Sequence, residues 1–230
     1  LKIEPSGVPD VDLMGPGTAE FREALEFLLG REPDEALRLA VPWSVIVRNR
    51  AGRAIALLGV RFDMVGQQGK SSSVVHYADT LRNPEKAAVT PGAMRFICAE
   101  PLYTGRVLGQ SASRPEADKR ARMNLDNLAK AREIRASIDC VAFGDGHFTG
   151  PDSLGAFDRF RVEREAEIAF VDEVLRSEAG VETLLARAIE HAAPAQRTLA
   201  KRLQEALQAG GREEMIARAR NHRPRIALFR

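Results

Sequence analysis

The stretch from Trp43 to Met64 constrains the fold more than any other part of the chain. Trp43, Val45 and Val47 alternate with Ser44 and Arg48, Asn49-Arg50-Ala51-Gly52 interrupts, and Ala54, Ala56, Leu58, Val60, Phe62 and Met64 resume the alternation. A period of two belongs to a β-strand, whose successive side chains point to opposite faces. One face is apolar along its length, and the other turns polar at Arg61 and Asp63. The pattern predicts a half-buried β-hairpin. It supplies no chemistry of its own, so function has to be sought elsewhere in the chain.

The same period recurs downstream. Ser73 to Ala78 is β-branched and alternating, and Ala88 to Ala99 carries a Pro91-Gly92 turn with Met94, Phe96 and Cys98 on one face. Leu102 to Leu108 is expected to add a short strand. In Ile134 to Phe143, one face is expected to hold Ile134, Ala136, Ile138, Cys140 and Ala142, and the other Arg135, Ser137 and Asp139 until Val141 and Phe143. Gly144-Asp145-Gly146 then turns into His147-Phe148-Thr149 as a return strand. About seven strands separated by turn signals across residues 41–150 predict an antiparallel β-sandwich, with a small barrel as the alternative.

The flanks differ. Residues 1–17 hold Pro5, Gly7, Pro9, Gly15 and Pro16, dense punctuation that predicts an arm in which Leu1 and Ile3 can begin an edge strand. Thr18 predicts an N-cap for a helix carrying Phe21, Leu25 and Leu28 and stopped by Gly30, and a second short turn runs from Pro33 to Leu39. Residues 110–133 are polar, with only Met123, Leu125 and Leu128 to bury, which predicts a weakly laid helix or a mobile excursion. After Gly150-Pro151 the period becomes helical. Phe157, Phe160, Ile168, Val171 and Leu175 follow a cap at Asp152 or Ser153, and Gly180 ends that helix. Val181, Leu184, Leu185, Ala188 and Ile189 make a second stripe, and Leu199, Leu203, Ala206 and Leu207 a third between Pro194 and Gly210-Gly211. The expected organisation is an arm with short helices at 1–40, a β-sandwich domain at 41–150 with its excursion at 110–133, and C-terminal amphipathic helices at 151–230.

The order of a buried tryptophan strand at Trp43, an asparagine turn with glycine, Pro91-Gly92 before a late strand and a closing strand at Ile134 to Phe143 resembles the immunoglobulin-like or fibronectin-type sandwich modules of bacterial proteins. The resemblance covers residues 41–150 and implies an α+β chain: an antiparallel immunoglobulin-like β-sandwich followed by a C-terminal helical segment. It departs from the pattern in two ways. No cysteine lies on a strand preceding Trp43 to form the usual inter-sheet bridge, and a polar excursion of about two dozen residues is atypical. Such modules serve in adhesion, scaffolding or accessory binding, and the fold alone does not choose among these.

Composition narrows the partners. The 230 residues hold 34 basic and 32 acidic side chains, a net charge of +2, so no global field draws the molecule to nucleic acid or membrane. The basic excess gathers after Pro194. No apolar run approaches the roughly 20 residues of a membrane span. The chain begins at Leu1, and removal of a leader before it would favour an extracytoplasmic location. Cys98 and Cys140 stand on apolar faces without neighbours at metal-ligand spacing, which predicts two buried thiols; a bridge between strands is the alternative.

Each candidate site has a plainer explanation. Gly66-Gln67-Gln68-Gly69-Lys70-Ser71 resembles the end of a phosphate-binding loop, but Met64 occupies the place of the first glycine and Ser72 to Tyr77 is strand-like where a helix is needed. Asp145, His147 and Asp152 could offer ligands to a cation, yet Asp-Gly is turn chemistry and Asp152 suits a cap. His76, Tyr77 and Asp79 suggest acid–base work, but strand geometry puts His76 and Tyr77 on opposite faces. Ser71, Ser72 and Ser73 lack a nucleophile elbow. Glu163, Glu165 and Glu167 predict a solvated helix face, and His191 a partner for a helix C-terminus. The basic tail from Arg218 to Arg225 predicts a solvated terminus, with polyanion binding as its functional counterpart.

No residue is therefore named as catalytic, cofactor-binding or metal-ligating, and no cofactor is expected. The expected function is a non-enzymatic sandwich module with a helical appendage, used for protein interaction or structure. A protein partner or self-association through the C-terminal helices is expected, and nucleic acid is disfavoured. The alternatives are a hydrolase-like enzyme whose site shows no motif, and polyanion or nucleic-acid binding through the basic C-terminus.

Overall fold

The computed structural model describes residues 1–81, 87–109, 114–177 and 179–227, with backbone alone for 223–227. The fold is α+β, in two compact units, Leu1–Pro151 and Asp152–Arg230.

The first unit holds eight named strands: β1 (Lys2–Ile3), β2 (Val11–Met14), β3 (Ser44–Asn49), β4 (Ile55–Val65), β5 (Ser71–Asp79), β6 (Met94–Cys98), β7 (Glu133–Phe143) and β8 (Phe148–Thr149). The larger sheet has the order β1-β7-β4-β5, with β8 beside β7, and the smaller has the order β2-β3-β6. All pairings are antiparallel except β1 with β7. The N-terminal arm thus contributes a strand to each sheet.

Alternation places the core. In the smaller sheet Val11, Val45, Val47 and Ile97 face one way, and in the larger Leu58, Val60, Phe62, Ala78, Ile134, Ala136 and Ile138 meet them in one apolar cluster. On the smaller sheet's other face, Ile46, Phe96 and Cys98 pack against helices α1 (Ala19–Leu29), α2 (Glu35–Ala40), α3 (Pro101–Val107) and α4 (Pro115–Ala129) through Phe21, Leu25, Leu37, Tyr103, Ala121 and Leu125. Thr18 caps α1 by accepting from Phe21 N at 3.1 Å, and Gly30 ends it at φ 61°.

Several expectations are corrected. The segments either side of Asn49 do not form a hairpin: β3 joins the smaller sheet and β4 the larger. Period two specifies a strand but not its neighbour. Trp43 lies in a 3-10 turn (Val41–Trp43) before β3, not on the strand. Leu102 to Leu108 is helical because Pro101 stands at the first helical position and the Glu100 carboxylate accepts from Leu102 N at 3.3 Å. Cys140 and Ala142 do not continue the face of Ile138. The register against β4 shifts between Gly59–Cys140 and Val60–Ile138, so Asp139 is an extra residue and Val141 and Phe143 turn to the core instead. Within 110–133, α4 starts at Pro115 without a side-chain cap and is anchored by Ala121 and Leu125; residues 110–113 lie outside the described part.

The second unit is a bundle of α5 (Ala156–Arg176), α6 (Val181–His191) and α7 (Pro194–Ala227), the last broken at Gly211, where φ is 70° and ψ −164°. Phe170, Val171, Val174, Leu185, Leu199 and Leu203 fill its core. Gly210-Gly211 interrupts rather than ends the third helix. The chain beyond re-enters the core through Met215 and Ala219, so the segment to His222 is a packed helix and not a solvated terminus.

Candidate functional site

The residues that could carry acid–base or metal chemistry are placed first. Asp145 accepts from Arg53 Nη1 at 2.9 Å and from His147 N at 3.0 Å; with the turn amide and the guanidinium as causes, its carboxyl is held below the usual range. The same guanidinium lies 3.8 Å from the centre of the Phe143 ring. Asp152 accepts from Ala156 N (2.8 Å), Phe157 N (2.9 Å) and Asp158 N (3.2 Å), which closes the first turn of α5. Turn and cap chemistry therefore occupy both carboxylates.

His76 points into the space between the sheets. Its Nε2 lies 3.0 Å from Ala99 O and its ring meets Phe62 edge-on at 5.6 Å. Burial pushes the imidazole below its ordinary value, against the smaller opposing pull of Ala99 O and Glu100. Asp79 accepts from Leu81 N at 2.8 Å. Ser73 Oγ donates to Asp63, which also accepts from Arg61 Nε at 2.8 Å. Partial burial would raise the Asp63 carboxyl, but the serine and arginine outweigh it and hold it low. Cys98 and Cys140 are both buried, and neither is in a disulfide. Burial pushes the Cys98 thiol up to about 11, which removes it as a thiolate nucleophile at neutral pH.

Two expectations in the second unit change. Glu167 is buried at 6% exposure, as is Arg164 at 5%, and His222 Nε2 lies 3.8 Å from Glu167 Oε2, so that glutamate belongs to the bundle interior and not to a solvated face. His191 in the last turn of α6 lies 3.5 Å from Glu190. A cleft of about 270 Å³ between α5 and α6 is lined by Glu173, Ser177, Thr183 and Arg187 among others, and its two charges pair with each other at 3.5 Å. The expected apolar stripes of α6 and α7 close on α5 and on one another.

The outer edge of the larger sheet is a separate feature of the first unit. Gly66 N donates to Lys70 O and Thr80 N to Ala56 O, each at 2.8 Å, at opposite ends of the β4–β5 ladder. The loop read as a possible phosphate cradle is thus the hairpin turn of that ladder. Bonded and unbonded pairs alternate along antiparallel strands, so the bonds to β4 come from Ser72, Val74, His76 and Ala78. The N–H and C=O groups of Ser71, Ser73, Val75, Tyr77 and Asp79 point away from the sheet. Among the described residues no strand pairs with that side of β5.

No protein-family model, curated protein or solved structure matches the chain.

The strand itself carries few of the devices that blunt an edge. Proteins blunt edge strands by making them short, bulging them, or placing lysine or proline on them. The other edge strands have 2 (β1), 2 (β8), 4 (β2) and 5 (β6) residues, whereas β5 has 9 in unbroken register with β4. It contains no Lys, Arg or Pro. The side chains of Ser73 and His76 are pinned to the sheet and to Ala99, which fixes the backbone they carry. The alternating period of Ser73 to Ala78 marks the strand, but outward main-chain groups leave no side-chain motif. The available signal was the absence of gatekeeper residues over nine positions.

Proposed function

We propose that this chain is a non-enzymatic interaction module whose larger sheet accepts an extended segment of a protein partner along β5. The observation that carries the reading is the nine-residue edge, along which alternate residues, Ser73 and Val75 among them, direct their main-chain groups away from β4. Added strands bind through such groups, and alternate side chains supply specificity. The engagement of Asp145, Asp152, His76 and Ser73 in turns, caps and packing supports a binding role over an enzymatic one.

The two facing sheets also support an immunoglobulin-like β-sandwich. The parallel β1–β7 pair and the helical layer over the smaller sheet depart from that family's pattern. No described helix is long and apolar enough to cross a membrane.

Decapeptides selected by display against the folded chain test the binding role, with Val75→Pro as the discriminating variant. Proline there removes only an outward N–H and leaves the bonds to β4 intact. Selected peptides are expected to bind the wild type and to lose about tenfold or more in affinity for Val75→Pro. Selected peptides that bind both proteins equally would overturn the proposal, as would a selection that yields no binder.

A further inference from the structure

We propose that α4 is a DNA-binding element whose exposed side seats in the major groove of a duplex, with its basic flanks on the phosphates of the two walls.

Unpaired charge carries it. In the first unit Arg38, Arg50, Arg53, Arg61, Arg106 and Arg135 each lie within ion-pair distance of a carboxylate. Along α4 and its ends that pattern stops. Arg114, Lys119, Arg120, Arg122, Lys130 and Arg132 are all exposed, and none of the six has an ion-pair partner among the described residues. Within residues 114–132 the exposed acids are Glu116 and Asp126, and neither reaches a cation; Asp118 is taken by Arg106. The net charge of +2 conceals this excess, because the acids that balance it lie on other elements. Cations held near one another without counter-charge favour a polyanion.

The shape of the exposed surface selects which polyanion. One stripe, Ala121, Leu125 and Leu128, anchors α4, and Lys119, Arg120, Arg122, Met123, Asp126 and Asn127 are exposed around the rest. At 3.6 residues per turn, Arg120 and Arg122 stand about 160° apart across that exposed arc, with Lys119 and Met123 between them at its crest. A flat anionic surface or an extended acidic peptide would meet the crest and leave both flanks unused. A groove with anionic walls meets both. The major groove of B-DNA is about 12 Å wide and a helix with its side chains about 10–12 Å across, whereas the major groove of duplex RNA is too narrow to enter. Glu116 and Asp126 fall inside the arginine flanks, toward base edges whose amino groups donate, and not at the phosphate rims. Arg132, its N–H tied to Val65 O at 2.8 Å, continues the basic surface past the helix end.

Fluorescence anisotropy of the full chain with a labelled mixed-sequence DNA duplex tests this. Binding is expected at low salt and to weaken by about 10³-fold between about 50 mM and 200 mM salt, the counterion release of roughly six phosphate contacts. Arg120→Gln combined with Arg122→Gln keeps helix-forming residues at two exposed positions, so the circular dichroism is expected to match the wild type. That variant is expected to bind about tenfold or more weakly and to flatten the salt slope by about 2. Arg197→Gln with Lys201→Gln on α7 is expected to change neither. Absence of duplex binding at low salt would overturn the proposal, as would a loss on the α7 substitutions in place of those on α4. Equal or tighter binding to polyglutamate, to phosphatidylserine vesicles or to an RNA duplex of the same sequence would show attraction to charge without the groove, and would overturn it as well.

Discussion

Asn49 shows how a single polar side chain organises the first unit. It is fully buried, yet its Nδ2 donates to Arg53 O (2.9 Å) and Val89 O (3.1 Å) while its Oδ1 accepts from Ala51 N (3.1 Å). The asparagine turn was visible in sequence, but its reach to Val89, forty residues on, was not. Gly59 is required for a different reason: a Cβ there would lie 2.9 Å from Cys140 Sγ and 3.0 Å from the Tyr77 ring. Cys98 offers a measurable consequence at this scale. Its folded pKa is raised from 9.0 to about 11, so above pH 9 the unfolded chain loses a proton that the folded one keeps. Stability is then full below pH 9 and falls as pH rises toward 11, by on the order of 3 kcal/mol in total. Urea titrations at pH 8 and pH 10.5 are expected to show this loss, and Cys98→Ala to remove most of it. An unchanged pH slope in the variant would show that the thiol is not the source.

Among the elements, α5 owes its start to Asp152, four residues ahead of its first residue. Its carboxylate takes three backbone N–H groups that would otherwise be orphaned. Asp152→Ala is expected to cost about 1–2 kcal/mol, and Asp152→Asn less, by chemical denaturation followed at the helical signal. Equal stability of wild type and Asp152→Ala would show that water serves the helix end as well. The cap was legible because aspartate before a helical period has a local mechanism. The β7 bulge was not: Asp139 interrupts no local pattern, and its shift is set by Gly59 and Val60 on another strand. The same distinction explains Glu167, whose charge reads as exposed in isolation and which the bundle places inside with Arg164. Gly211 lies between. The sequence marks a break there, and only the burial of Met215 and Ala219 shows that the helix continues into the core.

For the whole molecule, the strands and helices were largely legible because apolar period and capping are local. Which strand joins which sheet was not, because pairing partners are separated by tens of residues and any alternating strand suits several. The edge proposed for interaction emerges only at this scale. It is defined by β5 having no strand on one side among the described residues, and the identity of its outward positions depends on the ladder to β4. Residue-resolved amide hydrogen exchange on the monomeric chain tests that claim most directly. Val74, His76 and Ala78 are expected to exchange slowly, and Ser73 and Val75 fast, in alternation along the strand. Uniform slow exchange from Ser72 to Ala78 in the monomer would show that the outer side of β5 is already covered, and would contradict the account.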